Sequence, residues 1–264
     1  MITLIGHGYV GKYIARELDD RRIEYHHINH TQSIPWGTDF IINAAGYTGV
    51  PNVDACESNK DACIYGNVIW PLQLEKYATA LGVPVLHISS GCVYTGYKDG
   101  GWTENDAPNF TFDNASFYSA SKSLFQELFA QYAYKSYLFR IRMPFGPDTD
   151  PKNLLTKLTK YDKLVDKINS VSQIQEVAAA AVYFATTSNR PAFGIYNAVN
   201  PGGVSTADIA EMLGLDKEYL TPEEEKLVMK APRSNCVLNT DKMQGVYAFT
   251  NSYNALRRSI DIIV

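Results

Sequence analysis

The chain has 264 residues, a net charge of −4 and an isoelectric point near 5.7, with 45 % hydrophobic and 20 % charged residues. These proportions exclude a disordered or fibrous chain, and the acidic balance excludes a surface built to coat nucleic acid or an anionic membrane, each of which needs a basic face. Any phosphate-bearing ligand must therefore be gripped locally.

The chain opens on Met1-Ile2-Thr3-Leu4-Ile5 and passes directly into glycines, with no basic leader and no cleavage signal. No apolar run reaches bilayer length. A cytoplasmic location with no membrane partner is the expectation. The four cysteines, Cys56, Cys63, Cys92 and Cys236, lack C-x-x-C spacing and read as free thiols. His26, His27 and His30 cluster without a Cys or carboxylate at ligand spacing, so no metal site is expected there and the reading is a strand with exposed imidazoles.

The first apolar run, residues 2–5, predicts a strand, and Gly6-x-Gly8-x-x-Gly11 follows it at once. In that context the glycines permit a tight turn and let the backbone approach a pyrophosphate at a helix N-terminus. Gly6, Gly8, Tyr9, Val10 and Gly11 are thus the expected dinucleotide cradle. Val10, Ile14 and Leu18 fall at i, i+4 and i+8, one apolar stripe of the first helix. A second strand, residues 23–28, ends at Asn29-His30-Thr31-Gln32. An NAD site would place a carboxylate there for the ribose 2′-hydroxyl; its absence favours NADPH, with NADH left open by the lack of a nearby Arg, and makes Asn29 the candidate contact. A third strand, residues 40–42, ends at Asn43-Ala44-Ala45-Gly46, where small residues would let the cofactor cross the sheet edge.

Residues 58–81 are rich in helix formers, residues 83–88 predict a fourth strand, and Ser89-Ser90-Gly91-Cys92 follows it. A further helix over 117–134 carries Tyr118-x-x-x-Lys122, whose i,i+4 spacing puts both side chains on one face. A neighbouring ammonium favours phenolate and would bring the Tyr118 acidity toward the working range, while Ser90 would donate to the same ketone oxygen. After a fifth strand at 137–141 the pattern loosens, with Pro147, Pro151, Pro201, Pro222 and Pro232 as punctuation and Ser205 with Asp208 as a capping pair. The expected fold is α/β, a Rossmann-type doubly wound parallel sheet: residues 1–145 the dinucleotide-binding domain and 146–264 mainly a smaller substrate-binding lobe, some of whose segments return to the sheet.

The glycine fingerprint, Asn-Ala-Ala-Gly, the serines before Cys92 and Tyr-x-x-x-Lys stand in the order of the extended short-chain dehydrogenases, which the chain resembles. The run Asn43-Ala44-Ala45-Gly46-Tyr47-Thr48-Gly49-Val50-Pro51-Asn52-Val53-Asp54, with Cys56-Glu57-Ser58 after it, is similar to the nucleotide-rhamnose synthases that combine 3,5-epimerase and 4-reductase activity. Pro108-Asn109-Phe110, Arg140-Ile141-Arg142-Met143-Pro144, Asn153-Leu154-Leu155-Thr156-Lys157 and Asn200-Pro201-Gly202 extend the likeness, which covers about residues 1–213. It implies that Cys92 and Lys157 form an epimerase acid/base pair and that Ser90, Tyr118 and Lys122 form a reductase set. Pro144 would touch the cofactor, and Thr48, Asn52, Asn153 and Arg233 a nucleotide-diphosphate sugar. Ser90 departs from the Thr of plant-like members but keeps the hydroxyl. Such synthases are often fused to a 4,6-dehydratase domain absent here, so the keto sugar would come from elsewhere. A 4-reductase without epimerase activity, like dTDP-4-dehydrorhamnose reductase, and a non-catalytic NADP-binding regulatory subunit are the alternatives. No nucleic-acid partner is implied, and the long helices are candidate homodimer surfaces.

Overall fold

The computed structural model describes residues 1–50, 52–229 and 231–263. Six strands, β1 (Ile2–Ile5), β2 (Tyr25–Ile28), β3 (Phe40–Asn43), β4 (Val85–Ser90), β5 (Ser136–Ile141) and β6 (Gly194–Asn197), pair in parallel in the order 6-5-4-3-1-2. β1, β3 and β5 are buried along their whole length. Burial on both faces explains why these runs are continuously apolar rather than alternating, and it requires helices on each side of the sheet. The strand order reverses at the β1–β3 junction, where the Gly6 turn and the Asn43–Gly46 turn emerge side by side. Ligands of open α/β sheets bind at such a switch point, beyond the carboxyl ends of the strands.

Helix α1 (Tyr9–Asp20) lays Ile14 and Leu18 fully into the core, while Val10 at the first turn is only half-buried. The helical run expected over 58–81 is realised as α2 (Lys60–Ile64), a π-turn over Tyr65–Ile69 and α3 (Trp70–Leu81) without a break. α4 (Phe117–Tyr132) starts where Ser116 Oγ accepts the Ser119 N–H at 3.2 Å and Glu57 Oε1 accepts the Phe117 N–H at 2.8 Å. These two acceptors satisfy N–H groups that a helix start leaves unpaired, and they put Tyr118 in the first turn.

Two segments of the second half join the first. β6 extends the sheet beside β5, and α6 (Ile174–Thr186) packs against α1 with its Val177, Ala178, Ala181 and Phe184 in the main core. The rest of the second half, including α5 (Leu154–Lys160) and α7 (Thr206–Met212), closes over its own apolar cluster of Phe145, Leu155, Leu158, Ile209 and Leu256. Ser205 and Asp208 form the expected reciprocal cap of α7.

Candidate active site

Gly6 has φ +104°, a left-handed conformation that a side chain resists, and a Cβ there would lie 2.8 Å from the Ala45 nitrogen. A Cβ on Gly11 would lie 2.1 Å from the Gly6 carbonyl oxygen. The glycine turn and the Ala44–Gly46 turn are therefore in backbone contact, a cradle whose floor no larger residue could form. α1 begins directly after this turn, with Gly8 as its N-cap and no side-chain acceptor on its first N–H groups, the arrangement in which a helix N-terminus accepts an anion. The Tyr9 side chain points elsewhere: it is buried and its phenol donates to Asp148 at 3.1 Å, with Tyr13 sharing that carboxylate. Asn29 Oδ1 accepts the Thr31 N–H at 2.9 Å, leaving its amide N–H₂ free to donate. The histidine cluster differs in part from the expected exposed imidazoles: His30 is exposed, whereas His26 and His27 are half-buried. His27 hydrogen-bonds the Gly6 carbonyl at 2.9 Å, with the His7 ring tilted 30° against it at 3.8 Å between ring centroids.

Tyr118 and Lys122 do share one face, with Lys122 Nζ 6.0 Å from the phenol ring centroid. The expected tuning of the phenol by lysine is not what the surroundings produce. Burial pushes the Tyr118 phenol above its ordinary value and the Cys92 thiol pushes the same way, while the hydrogen-bonding Ser90 hydroxyl pulls it down. A phenol held protonated is suited to donate a proton to a ketone oxygen being reduced. Lys122 is itself pushed down to about 8 by burial, with the Cys63 and Cys56 thiols acting against that shift. Its ammonium sits 3.3 Å from where a Gly46 Cβ would stand, so Gly46 leaves it room.

A cleft of about 310 Å³ opens beside this pair, lined by Tyr118, Cys92, Lys157, Pro144, Arg142 and Arg233 among others. The structure thus brings together Tyr118, Cys92 and Lys157 from α4, the β4 end and α5. Ser90 lies directly behind, its Oγ accepting the Cys92 N–H at 3.0 Å. Burial, then the neighbouring Lys152 ammonium, push Lys157 below its ordinary value, which makes its proton easier to release.

The expected substrate contacts divide. Arg233 lines the cleft and is tied to Asp54 at 2.7 Å across from the first half of the chain. Asn153 does not reach the cleft. It is fully buried, donating to the Gly146 and Asp148 carbonyls at 2.8 and 2.7 Å and capping α5 through Leu155 N–H, so its whole hydrogen-bonding capacity is spent on the loop. Asn52 likewise accepts the Asp54 N–H as the cap of a short 3₁₀ turn, and Thr48 accepts from Lys152 Nζ at 3.2 Å.

Three residues without an expected role belong to the site. Arg142 is 1 % exposed and donates to the Gly91 carbonyl, the Ser234 hydroxyl and the Cys92 sulfur, the last at 3.4 Å. A charged residue closing an apolar strand was the available signal, since buried charge is retained only where it is paired or used. Lys152 lines the cleft and bonds the Gly49 carbonyl at 3.0 Å. Asn67, fully buried in the π-turn, clasps Tyr47 through both its N–H and its carbonyl, fixing the chain that leaves Gly46.

A glycine cradle at the switch point of a parallel sheet, facing a Tyr-Lys pair beside a cleft, is the architecture of the extended short-chain dehydrogenases. The model of the RmlD substrate binding domain matches residues 6–262, and the chain belongs to that family. A bifunctional dTDP-4-dehydrorhamnose 3,5-epimerase/dTDP-4-dehydrorhamnose reductase of Arabidopsis thaliana is 38 % identical over 220 residues, 77 % of this chain and 70 % of the relative. A trifunctional UDP-glucose 4,6-dehydratase/UDP-4-keto-6-deoxy-D-glucose 3,5-epimerase/UDP-4-keto-L-rhamnose-reductase of the same plant is 32 % identical; the match takes in 90 % of this chain but 38 % of the relative. Among solved structures, the L780 UDP-rhamnose synthase from Acanthamoeba polyphaga mimivirus superposes with a TM-score of 0.90 at 23 % identity, covering 99 % of both chains. A dTDP-4-dehydrorhamnose reductase from Bacillus anthracis in complex with NADP gives 0.80 at 17 % identity, covering 98 % of each. These superpositions establish the Rossmann-type fold expected from the sequence. No helix among the described residues is long and apolar enough to cross a membrane.

Proposed function

We propose that the protein is an NADPH-dependent reductase of a nucleotide-diphospho-4-keto-6-deoxyhexose that also epimerises C3 and C5, giving a nucleotide-L-rhamnose-type sugar. The carrying observation is the convergence of Cys92, Lys157 and Tyr118 on one cleft that opens beside the dinucleotide cradle. The cradle fits a dinucleotide because Gly6 and Gly11, where a Cβ would meet backbone at 2.8 and 2.1 Å, let its two turns close on each other, and only small residues stand beside them. Gly6, Gly8, Gly11, Ala44, Ala45 and Gly46 would hold NADPH, with Asn29 at the ribose and Pro144 at the nicotinamide end. When bound, NADPH supplies the hydride that C4 accepts.

The residues do the remaining work. A C4 ketone acidifies the hydrogens on C3 and C5, so removing one places charge on the ketone oxygen, where Ser90 and Tyr118 donate. The Cys92 sulfur, which accepts from the Arg142 guanidinium at 3.4 Å, takes the proton from one face as general base; Lys157 returns a proton to the other, inverting the carbon. In the reduction Tyr118 gives its phenolic proton to the C4 oxygen as hydride arrives at C4, and Lys122 stabilises the phenolate left behind. Lys152, Lys157, Arg142 and Arg233 gather positive charge in a chain of net charge −4, which suits a diphosphate. The dTDP and UDP sugars named for the Arabidopsis relatives carry that group. The same reading places the protein in the cytoplasm.

The test is deuterium exchange in D₂O followed by NMR. The wild type should incorporate deuterium at C3 and C5 of the keto sugar, whereas Cys92→Ala should not, while still oxidising NADPH against the 4-ketone. Unchanged exchange in Cys92→Ala refutes the epimerase assignment and leaves a 4-reductase.

A further inference from the structure

Between the sheet and the helices α3 and α4 lies a buried polar chain that the reaction does not use. Glu75 of α3 is 8 % exposed and His87 of β4 is 1 % exposed. Glu75 Oε2 accepts from the Ser136 hydroxyl at 2.8 Å, and Glu75 Oε1 meets His87 Nε2 at 2.8 Å. His87 Nδ1 meets the Asn43 amide nitrogen at 3.1 Å, and Asn43 Oδ1 accepts the Ala45 N–H at 3.1 Å. The other neighbours of the imidazole are the edges of Phe125 and Phe129, so Glu75 is the sole charged group its ring meets among the described residues.

The polarity of this chain follows from one end. A backbone N–H can only donate, so the Asn43 atom facing Ala45 must be its oxygen, and the atom facing His87 must be the donating N–H₂. His87 Nδ1 must then be bare and accepting. Its proton sits on Nε2, where it is donated to the carboxylate that also accepts from Ser136. Each link removes one choice from the next. The Ala45 nitrogen held at the far end is the atom against which Gly6 packs, so the chain ends on the contact between the two halves of the cradle.

We propose that Glu75 and His87 are positioning residues for the cofactor: they fix the orientation of the Asn43 amide, and through it the Ala44–Gly46 turn on which the dinucleotide and Lys122 depend. The proposal rests on the cofactor reading above and is independent of the epimerase assignment.

Two variants test it. His87→Leu keeps apolar bulk but can neither accept from Asn43 nor donate to Glu75. His87→Gln can do both, with Oε1 toward Asn43 and Nε2 toward Glu75. An unpaired buried amide free to turn should raise the NADPH KM about tenfold in His87→Leu, with kcat at saturating NADPH and the keto-sugar KM within about twofold of wild type. His87→Gln should recover most of that loss. A folded His87→Leu with the wild-type NADPH KM, or a loss of kcat alone, overturns the proposal. Should His87→Leu fail to fold, ¹⁵N NMR of the wild-type imidazole at pH 8 decides: a single Nε2–H tautomer supports the chain, and an Nδ1–H tautomer overturns it. If NADPH fluorescence shows no binding to the wild type, the cofactor reading fails instead, and the tautomer still reports on the chain.

Discussion

Replacing Lys122 by Met should make the protein more stable and nearly inactive, with a pH signature that identifies the cause. The side chain is 7 % exposed, and burial takes its ammonium from an ordinary 10.5 to about 8. At about 1.4 kcal/mol for each pH unit, that fall is a cost of about 3 kcal/mol for holding the charge inside. Below pH 8 both folded and unfolded chains carry the proton and the cost is complete. Between 8 and 10.5 the folded chain has released it and the unfolded chain has not, so wild-type stability rises with pH through that window. Urea unfolding should therefore show Lys122→Met ahead by about 2 to 3 kcal/mol at pH 7 and by less than about 1 kcal/mol at pH 10. Its kcat should fall at least about 100-fold, because the phenolate formed at Tyr118 loses its ammonium. A variant less stable than wild type at pH 7, or a gap that does not close with pH, refutes the account of a charge held at a cost for catalysis.

Other substitutions separate the parts of the site. Gly11→Ala drives a methyl to 2.1 Å from the Gly6 oxygen and should cost about 3 kcal/mol in urea unfolding, with loss of NADPH binding by fluorescence. Gly46→Ala meets only the Lys122 ammonium at 3.3 Å and Asn67 at 3.4 Å, so its melting temperature should barely move while kcat drops about tenfold. Tyr118→Phe should abolish NADPH oxidation while leaving cofactor binding intact. Arg233→Met removes one cation of the cleft and its tie to Asp54, and should raise the nucleotide-sugar KM about tenfold without changing the NADPH KM.

What could be read before the fold was known followed physical period and local chemistry. β1, β3 and β5 were legible because burial on both faces leaves near-continuous apolar runs, and Tyr118 with Lys122 because helical spacing places them together. β6 was not: it begins with Gly194 and is four residues long, and its membership comes from pairing with β5. α6 was missed because its alanine-rich run is apolar nearly all round, as suits a helix packed against both α1 and the sheet, and so shows no stripe. Asn153 misled because a polar residue in a family-like run reads equally well as a contact or a cap, and only its buried bonds to Gly146 and Asp148 decide. The Ser136–Glu75–His87–Asn43 chain joins four residues spread over three strands and a helix, which spacing cannot reveal.

The central claim is that one cleft carries both inversion and reduction of a 4-keto sugar, and incubating the purified protein with UDP-4-keto-6-deoxyglucose and NADPH tests it most directly. NMR of the product should show the L-rhamno configuration, inverted at C3 and C5, with one NADPH consumed per sugar. A 6-deoxy sugar reduced at C4 with C3 and C5 uninverted, or no NADPH consumption on either the UDP or the dTDP substrate, would contradict it.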